Sequence, residues 1–219
     1  MERTRVRDVM SSPAITVSPE ATLPAANALM KEKQIRHLPV TEAGRIVNIV
    51  SERDLFALQR LSLRQLSAQI RAAPDVDTLR HLAGEIRAFA RNLLDQGVQA
   101  RQTTELISHL NDVLTERLVL LVAAQGGMDL GQASWLAFGS EGRGEQTIAT
   151  DQDNGLVFAS HDPDTDRPRW LALAREVNDA LDACGYPLCK GRVMASNPEC
   201  CLTPDEWRAR FAHWIEHGA

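Results

Sequence analysis

A chain of 219 residues, 44% apolar and 24% charged, has the size and composition of one large or two small water-soluble domains. No apolar run approaches the roughly 20 residues of a membrane-spanning helix, so no membrane role is expected. Residues 1–73 hold 11 Lys+Arg against 7 Asp+Glu, and residues 74–219 hold 13 against 22, which sets a basic first third before an acidic remainder of the −5 chain. The acidic part is a poor electrostatic partner for a polynucleotide, so no nucleic acid is expected to bind.

In chain order, Met1-Glu2-Arg3-Thr4-Arg5 has no apolar stretch behind it, and no secretory signal is expected. Val6-Arg7-Asp8-Val9-Met10 leads to Ser12-Pro13, and Ala14-Ile15-Thr16-Val17 reads as a strand. Ser18-Pro19 and Thr22 are helix-start residues. Leu23, Ala25, Ala26, Leu29 and Met30 then give a helical stripe up to Lys33. His37-Leu38-Pro39-Val40 reads as a short strand, Glu42-Ala43-Gly44-Arg45 as a hairpin turn, and Ile46 to Val50 as the partner strand. Ser51-Glu52-Arg53-Asp54-Leu55 opens another helix.

These strings resemble a CBS motif, which begins V-x-D-V-M, carries H-x-P-V midway and ends in S/T-x-x-D. The resemblance implies a βαββα unit over residues 1–62 and an adenine nucleotide whose ribose meets Ser51 and Asp54. The same two residues also read as an ordinary helix N-cap and a first-turn acid. CBS motifs come in pairs, yet one is found here and no repeat follows at 50–60 residues. Either a second chain supplies the twin, making a homodimer through residues 1–60, or the chain is shorter than larger relatives. Ile15, Val17, Leu38, Val40 and Ile49 are the apolar residues expected to need that cover.

Residues 63–128 read as a helical linker and hairpin. Pro74, Asp75 and Asp77 supply a start, Leu79, Leu82, Ile86, Phe89 and Leu93 recur at helical spacing, and Gly97 is a stop. Thr103 or Thr104 is expected to cap the next helix, which carries Ile107, Leu110, Leu114, Leu118 and Leu121 on one face and ends at Gly126-Gly127.

Residues 139–154 read G-S-E-G-R-G-E-Q-T-I-A-T-D-Q-D-N, set between the apolar runs 135–138 and 155–158. Gly139, Gly142 and Gly144 let a backbone approach a ligand closely. Ser140 adds a hydroxyl, and Arg143 a cationic fork for phosphate oxygens. Asp151 and Asp153, two apart at a strand start, are expected to share one face. Paired hard anions beside a phosphate cradle suit Mg²⁺ bridging to a nucleoside triphosphate.

The string resembles the nucleotidyltransferases of the DNA polymerase beta superfamily, whose signature is Gly-Ser, an Arg and often a Glu, then Asp-x-Asp. It is most similar to the nucleotidyltransferase domain related to the N-terminal part of protein-PII uridylyltransferase, with G-S-x-G-R-x-E-Q, T-D-Q-D-N and a later G-x-V-M-A-x-N-P. Gly191 to Pro198 matches that last run. The resemblance covers residues 75–215. It implies Asp151 and Asp153 as catalytic metal ligands, and Gly139, Ser140, Arg143 and Glu145 as the nucleotide site. Glu145 is expected to orient Arg143. UTP or ATP is the implied donor and a protein hydroxyl the implied acceptor. The wider superfamily carries a third carboxylate on a later strand, and the candidate strand Leu188 to Met194 has none.

A turn-rich acidic loop follows at residues 162–166, then a helix with Trp170, Leu173, Val177, Leu181 and Cys184 inward. Leu188 to Ala195 is read as a strand, and Thr203-Pro204-Asp205-Glu206 as a capping box opening the last helix. His213 and His217 are one turn apart, with no third metal ligand near them. The spacing of Cys184, Cys189, Cys200 and Cys201 fits no zinc pattern, and reduced thiols in a cytoplasmic protein are expected.

The expected architecture is α+β: a CBS-like unit over 1–62, helices over 63–128, and a polymerase-beta-like nucleotidyltransferase fold over 129–219, ending where larger relatives continue into a helical domain. The expected function is Mg²⁺-dependent nucleotidyl transfer with a CBS regulatory unit. The alternatives are a non-catalytic nucleotide-sensing module and a nucleotidyltransferase for small molecules.

Overall fold

The structure is a computed structural model that describes residues 5–95 and 98–217. Helix and sheet are mixed, as an α+β class requires. The chain divides into two compact units, one reaching residue 62 and the other beginning at residue 63. The expected helix stop at Gly97 lies outside the described residues.

In the first unit, α1 (Leu23–Glu32) starts at Thr22, whose hydroxyl accepts from the Ala25 amide at 3.4 Å. β1 (His37–Glu42) and β2 (Arg45–Ser51) pair antiparallel. Their two-residue turn puts both Ala43 (φ 46°) and Gly44 (φ 77°) in the left-handed region, the geometry whose twist suits a hairpin. The strand expected at 14–17 is reduced to one parallel bridge, Val17 to Val40. Ala26, Met30, Leu38 and Leu55 form a small core, with Ile15, Val17 and Val50 packed against it. Leu38 and Val40 are therefore already buried, and of the five residues expected to need outside cover only Ile49 is exposed. The apolar surface lies instead on β2, where Ile46, Val47 and Ile49 are each more than half exposed.

The second unit is built on α2 (Glu52–Ala72), which crosses the division at residue 62, and on α3 (Val76–Asp95) and α4 (Ala100–Gln125). α4 begins three residues before Thr103, with Gln99 at the N-cap position. Thr103 lies buried in its first turn, its hydroxyl donating to the Gln99 carbonyl at 3.2 Å. A three-stranded sheet follows in the order β3 (Ala133–Ala137), β4 (Asn154–Phe158), β5 (Cys201–Leu202), antiparallel and then parallel. The short α5 (Gly139–Gly142) follows β3, while α6 (Pro163–Ala183) and α7 (Pro204–His217) complete the unit. The hairpin helices are part of this core. Leu79, Ile86, Leu110, Leu114 and Leu118 pack in one cluster with Leu156, Phe158, Trp170 and Val177. Each fully buried aliphatic or aromatic side chain there stabilises the fold by about 1.5–3 kcal/mol.

Two polar devices fix the ends. Thr203 and Glu206 cap α7 reciprocally, with the Thr203 amide donating to Glu206 Oε2 at 2.7 Å and the Glu206 amide to Thr203 Oγ1 at 3.4 Å. Arg167 of α6 donates to the Cys201 carbonyl and, at 2.6 Å, to Glu206 Oε1, joining α6, β5 and α7. Residues 188–195 do not form a strand. A turn at 190–192, with Arg192 at φ 59°, breaks the extended run, and the partner beside β4 is the two-residue β5.

Candidate functional site

Gly139 and Asp153 are packed directly together. A Cβ added at Gly139 would lie 2.2 Å from Asp153 Oδ2, and the glycine sits at φ +51°. The Phe138 amide donates to the Asp153 carbonyl at 2.8 Å, locking the turn after β3 onto the entry to β4. Ser140 Oγ lies 3.3 Å from Thr150 Oγ1. Arg143 donates through Nε to Glu145 Oε2 at 2.8 Å, and both side chains are exposed. Its two terminal nitrogens have no partner among the described residues.

The strand β4 begins at Asn154, so Asp151 and Asp153 precede it. Burial still alternates along this entry: Asp151 exposed, Gln152 buried, Asp153 half-buried, Asn154 buried. Asp153 Oδ1 accepts from the Cys189 thiol at 3.3 Å, while among the described residues no hydrogen bond occupies the Asp151 carboxylate. No group of three or more His, Cys, Asp or Glu among the described residues converges on one ion. Two hard carboxylates with free oxygens nonetheless fit Mg²⁺, which keeps several waters and relies on substrate phosphates for the rest of its shell.

The polar residues between and beside the aspartates form a buried network that the motif did not reveal. Gln152 donates to the Asn178 and Tyr186 carbonyls at 3.0 and 2.8 Å. Asn178 of α6 donates to Gln152 Oε1 at 2.7 Å and to Asn154 Oδ1 at 3.0 Å, and accepts from the Ser196 amide at 3.1 Å. Asn154 Oδ1 also accepts from the Ala195 amide at 2.8 Å. On the other side, Asn111 of α4 donates to Gln146 Oε1 at 3.2 Å and accepts from the Tyr186 hydroxyl at 2.8 Å. These bonds hold 187–196 against 152–154 without a strand ladder. Four residues whose roles the sequence did not disclose are thus Gln152, Asn178, Cys189 and Glu141. The Glu141 carboxyl is pushed up to about 7, first by burial, then by Asp112 and Asp153.

Replacing Gly139 by alanine tests the close approach. A left-handed L-residue costs about 1–2 kcal/mol, and the added Cβ forces the Asp153 carboxylate to move. Gly144→Ala is the control, since Gly144 has φ +65° but open space around it. Gly139→Ala is expected to lose at least as much thermal stability as Gly144→Ala, and it alone to lose Mg·NTP affinity in calorimetry. Equal nucleotide affinity in the two variants counts against a role for this contact.

In the first unit, Ser51 and Asp54 bond each other. Ser51 Oγ donates to Asp54 Oδ2 at 2.7 Å, the Ser51 amide to the same oxygen at 2.9 Å, and the Asp54 amide to Ser51 Oγ at 3.3 Å. This is a helix-capping arrangement, and the hydroxyl bond chiefly holds the Asp54 carboxyl below its ordinary range. His213 and His217 stack on exposed α7, and His217 Nδ1 lies 3.3 Å from the His213 carbonyl.

All four cysteines are free thiols. No helix among the described residues is long and apolar enough to cross a membrane. Residues 6–60 match the CBS domain family, and residues 84–219 match the family described as "Putative nucleotidyltransferase DUF294". Comparisons with curated proteins and with solved structures find no match. The second family match spans more than half the chain and contains the whole glycine turn and both aspartates, and the chain belongs to that nucleotidyltransferase family, with a CBS domain ahead of it.

Proposed function

We propose that the protein transfers a nucleoside monophosphate from an NTP to an acceptor hydroxyl. The observation that supports this reading is the close packing of the Gly139 turn against Asp153. In the proposed step the acceptor oxygen attacks the α-phosphorus. The new P–O bond forms as the bond to the β-phosphate bridging oxygen breaks, pyrophosphate leaves, and the acceptor proton passes to solvent.

Asp151 and Asp153 would hold Mg²⁺, which would neutralise phosphate charge and favour ionisation of the acceptor hydroxyl. Gly139 gives the backbone room beside the phosphates, and Ser140 supplies a hydroxyl. Glu145 grips Arg143 through Nε, leaving the terminal N–H groups directed by that grip and available to phosphate oxygens. The resemblance to uridylyltransferases favours UTP and a protein acceptor. Labelled NTPs of all four bases, with Mg²⁺ and cell extract, test the reading. Label from UTP in a protein band is the expected result. Label in a small product moves the acceptor to a small molecule. No label with any base leaves a nucleotide-sensing module without catalysis, a reading to which the carboxylate-free segment 188–194 lends weight.

The CBS unit is proposed to be regulatory and to pair with a second copy. Ile46, Val47 and Ile49 lie exposed on β2, a strand that among the described residues pairs only with β1 in its sheet. Such an edge invites cover by another chain. Sedimentation is expected to give a dimer that Ile46→Lys with Ile49→Lys converts to monomer. A wild-type monomer across the micromolar range overturns the pairing.

An adenine nucleotide at Ser51 and Asp54 is proposed to shift the transfer rate about 5–150-fold, the usual span of allosteric coupling. AMP and ATP titrated into the transfer assay test it. An identical response from Asp54→Ala excludes that pair as the sensor.

A further inference from the structure

Cys189 is half-buried, whereas Cys184, Cys200 and Cys201 are buried. Its segment is fixed on both sides. The Gln152 amide donates to the Pro187 carbonyl at 3.0 Å, and the Asn154 amide to the Val193 carbonyl at 3.0 Å. Residues 187–193 are thereby pinned to the two chain neighbours of Asp153. Between the pins the backbone turns back on itself. The Arg192 amide donates to the Cys189 carbonyl at 3.0 Å, the Cys189 amide to Met194 Sδ at 3.4 Å, and Asn197 Nδ2 to the Arg192 carbonyl at 2.9 Å. Arg192 sits within this turn at φ 59°, a conformation that costs a non-glycine residue energy. What the turn delivers to the site is the Cys189 thiol, which donates to Asp153 Oδ1 at 3.3 Å. The other oxygen, Oδ2, faces the Gly139 turn, 2.2 Å from where a Cβ would stand there. No hydrogen bond occupies Oδ2 among the described residues.

We propose that Cys189 is a positioning residue for Asp153: its thiol engages Oδ1 and keeps Oδ2, beside the glycine turn, as the oxygen available to Mg²⁺. The inference rests on the reading of Asp153 as a metal ligand. A free carboxylate can offer either oxygen or both to a cation, and rotation of the side chain exchanges them. A donor held on Oδ1 by a pinned turn removes that freedom before the metal arrives. A partner of this kind, one step outside the metal's own ligands, typically sets about 10–100-fold in metal affinity. A thiol is a weak donor, which places Cys189 at the lower end of that span. A hydroxyl can replace the thiol in this role and a methyl group cannot, so the role is separable from packing.

The test is calorimetry of UTP and ATP binding to the full chain, each with Mg²⁺ and with the metal removed by EDTA. Cys189→Val keeps the volume without the donor, Cys189→Ala removes both, and Cys189→Ser keeps a donor. The Val and Ala variants are expected to weaken Mg·NTP binding about tenfold and to leave metal-free NTP binding unchanged. The Ser variant is expected to stay within about threefold of wild type. A packing role would produce neither the dependence on metal nor the rescue by serine. Equal Mg·NTP affinity in wild type and Cys189→Val overturns the inference. So does an equal loss in the Val and Ser variants, or a loss of the same size without metal. If the Val and Ala variants do not fold, methyl methanethiosulfonate is used to cap the Cys189 thiol of folded wild type, the other three cysteines being buried. Capping must then weaken Mg·NTP binding and leave the Cys189→Ser protein unaffected, and unchanged affinity overturns the inference. Asp153→Asn separates the two readings. If it weakens Mg·NTP binding and Cys189→Val does not, the metal site stands and the positioning role falls. If neither weakens it, or wild type binds no Mg·NTP, the metal-site reading falls and the positioning role falls with it.

Discussion

Asp151→Asn combined with Asp153→Asn is expected to lower nucleotidyl transfer by at least about 10²–10³-fold while the protein stays folded. Asparagine keeps the shape of each side chain and removes the charge. Asp151 is exposed, so no packing is lost there, and the side-chain carbonyl that Asp153→Asn retains can still accept from Cys189. What disappears is the hard anionic pair that anchors the metal. A bound metal supplies several kcal/mol of transition-state stabilisation, and each 1.36 kcal/mol is a factor of ten in rate. Calorimetry carries the second half of this result. Mg²⁺ alone should bind weakly to wild type and more strongly with NTP present, because phosphate oxygens complete its shell. In the double variant that mutual strengthening should vanish. Unchanged Mg·NTP affinity and unchanged transfer in the variant would sink the assignment of both residues.

The site could be seen in the sequence where residue type alone carries chemistry. Glycines in a row with Ser140 and Arg143 imply an anion, and Asp151 with Asp153 imply a cation. Gln146, Gln152 and Asn154 sit in the same string and gave no such signal. Their partners are Asn111, Asn178 and Tyr186, which lie 24 to 35 positions away along the chain and become neighbours only after folding. Glu141 was invisible for a related reason. Its burial and its nearness to Asp112 depend on α4 packing beside α5.

The helices of the second unit were legible because three-four spacing of Leu and Ile is a local property. Trp170, Leu173, Val177 and Leu181 are buried on α6, and Cys184 at its C-cap, as that spacing requires. Residues 188–195 misled because Leu188-Cys189 and Val193-Met194-Ala195 look like two ends of one strand, while the Arg192 amide folds back to the Cys189 carbonyl and the Val193 carbonyl is taken by the Asn154 amide. In the CBS unit the reading that Ser51 caps a helix and the reading that it meets a ribose use the same atoms. The structure has the cap bonds formed, and a ribose would need to share or replace them.

Asn178→Ala is expected to be the most destabilising single change in the site. Asn178 is about 1% exposed and makes three bonds with its side chain. Removing it leaves Gln152 Oε1 with only the 3.5 Å bond from Asn154 Nδ2, weakens the pairing of Asn154 Oδ1 and leaves the Ser196 amide without its acceptor. A buried polar group left unsatisfied costs about 1–3 kcal/mol, so the sum is roughly 3–5 kcal/mol with a small cavity added. For a chain of this size that corresponds to a fall in Tm of roughly 10 °C or more.

Asn178→Asp separates donors from volume. It keeps the acceptor for Ser196 and replaces both donations with repulsion toward Gln152 Oε1 and Asn154 Oδ1. It should therefore be at least as harmful as alanine at neutral pH. Transfer should also fall in both variants below their melting points, because Gln152 is the buried residue between the two aspartates and its amide is what Asn178 holds. A Tm within about 2 °C of wild type for Asn178→Ala would mean that water fills the gap and that the network is not what sets the aspartates in place.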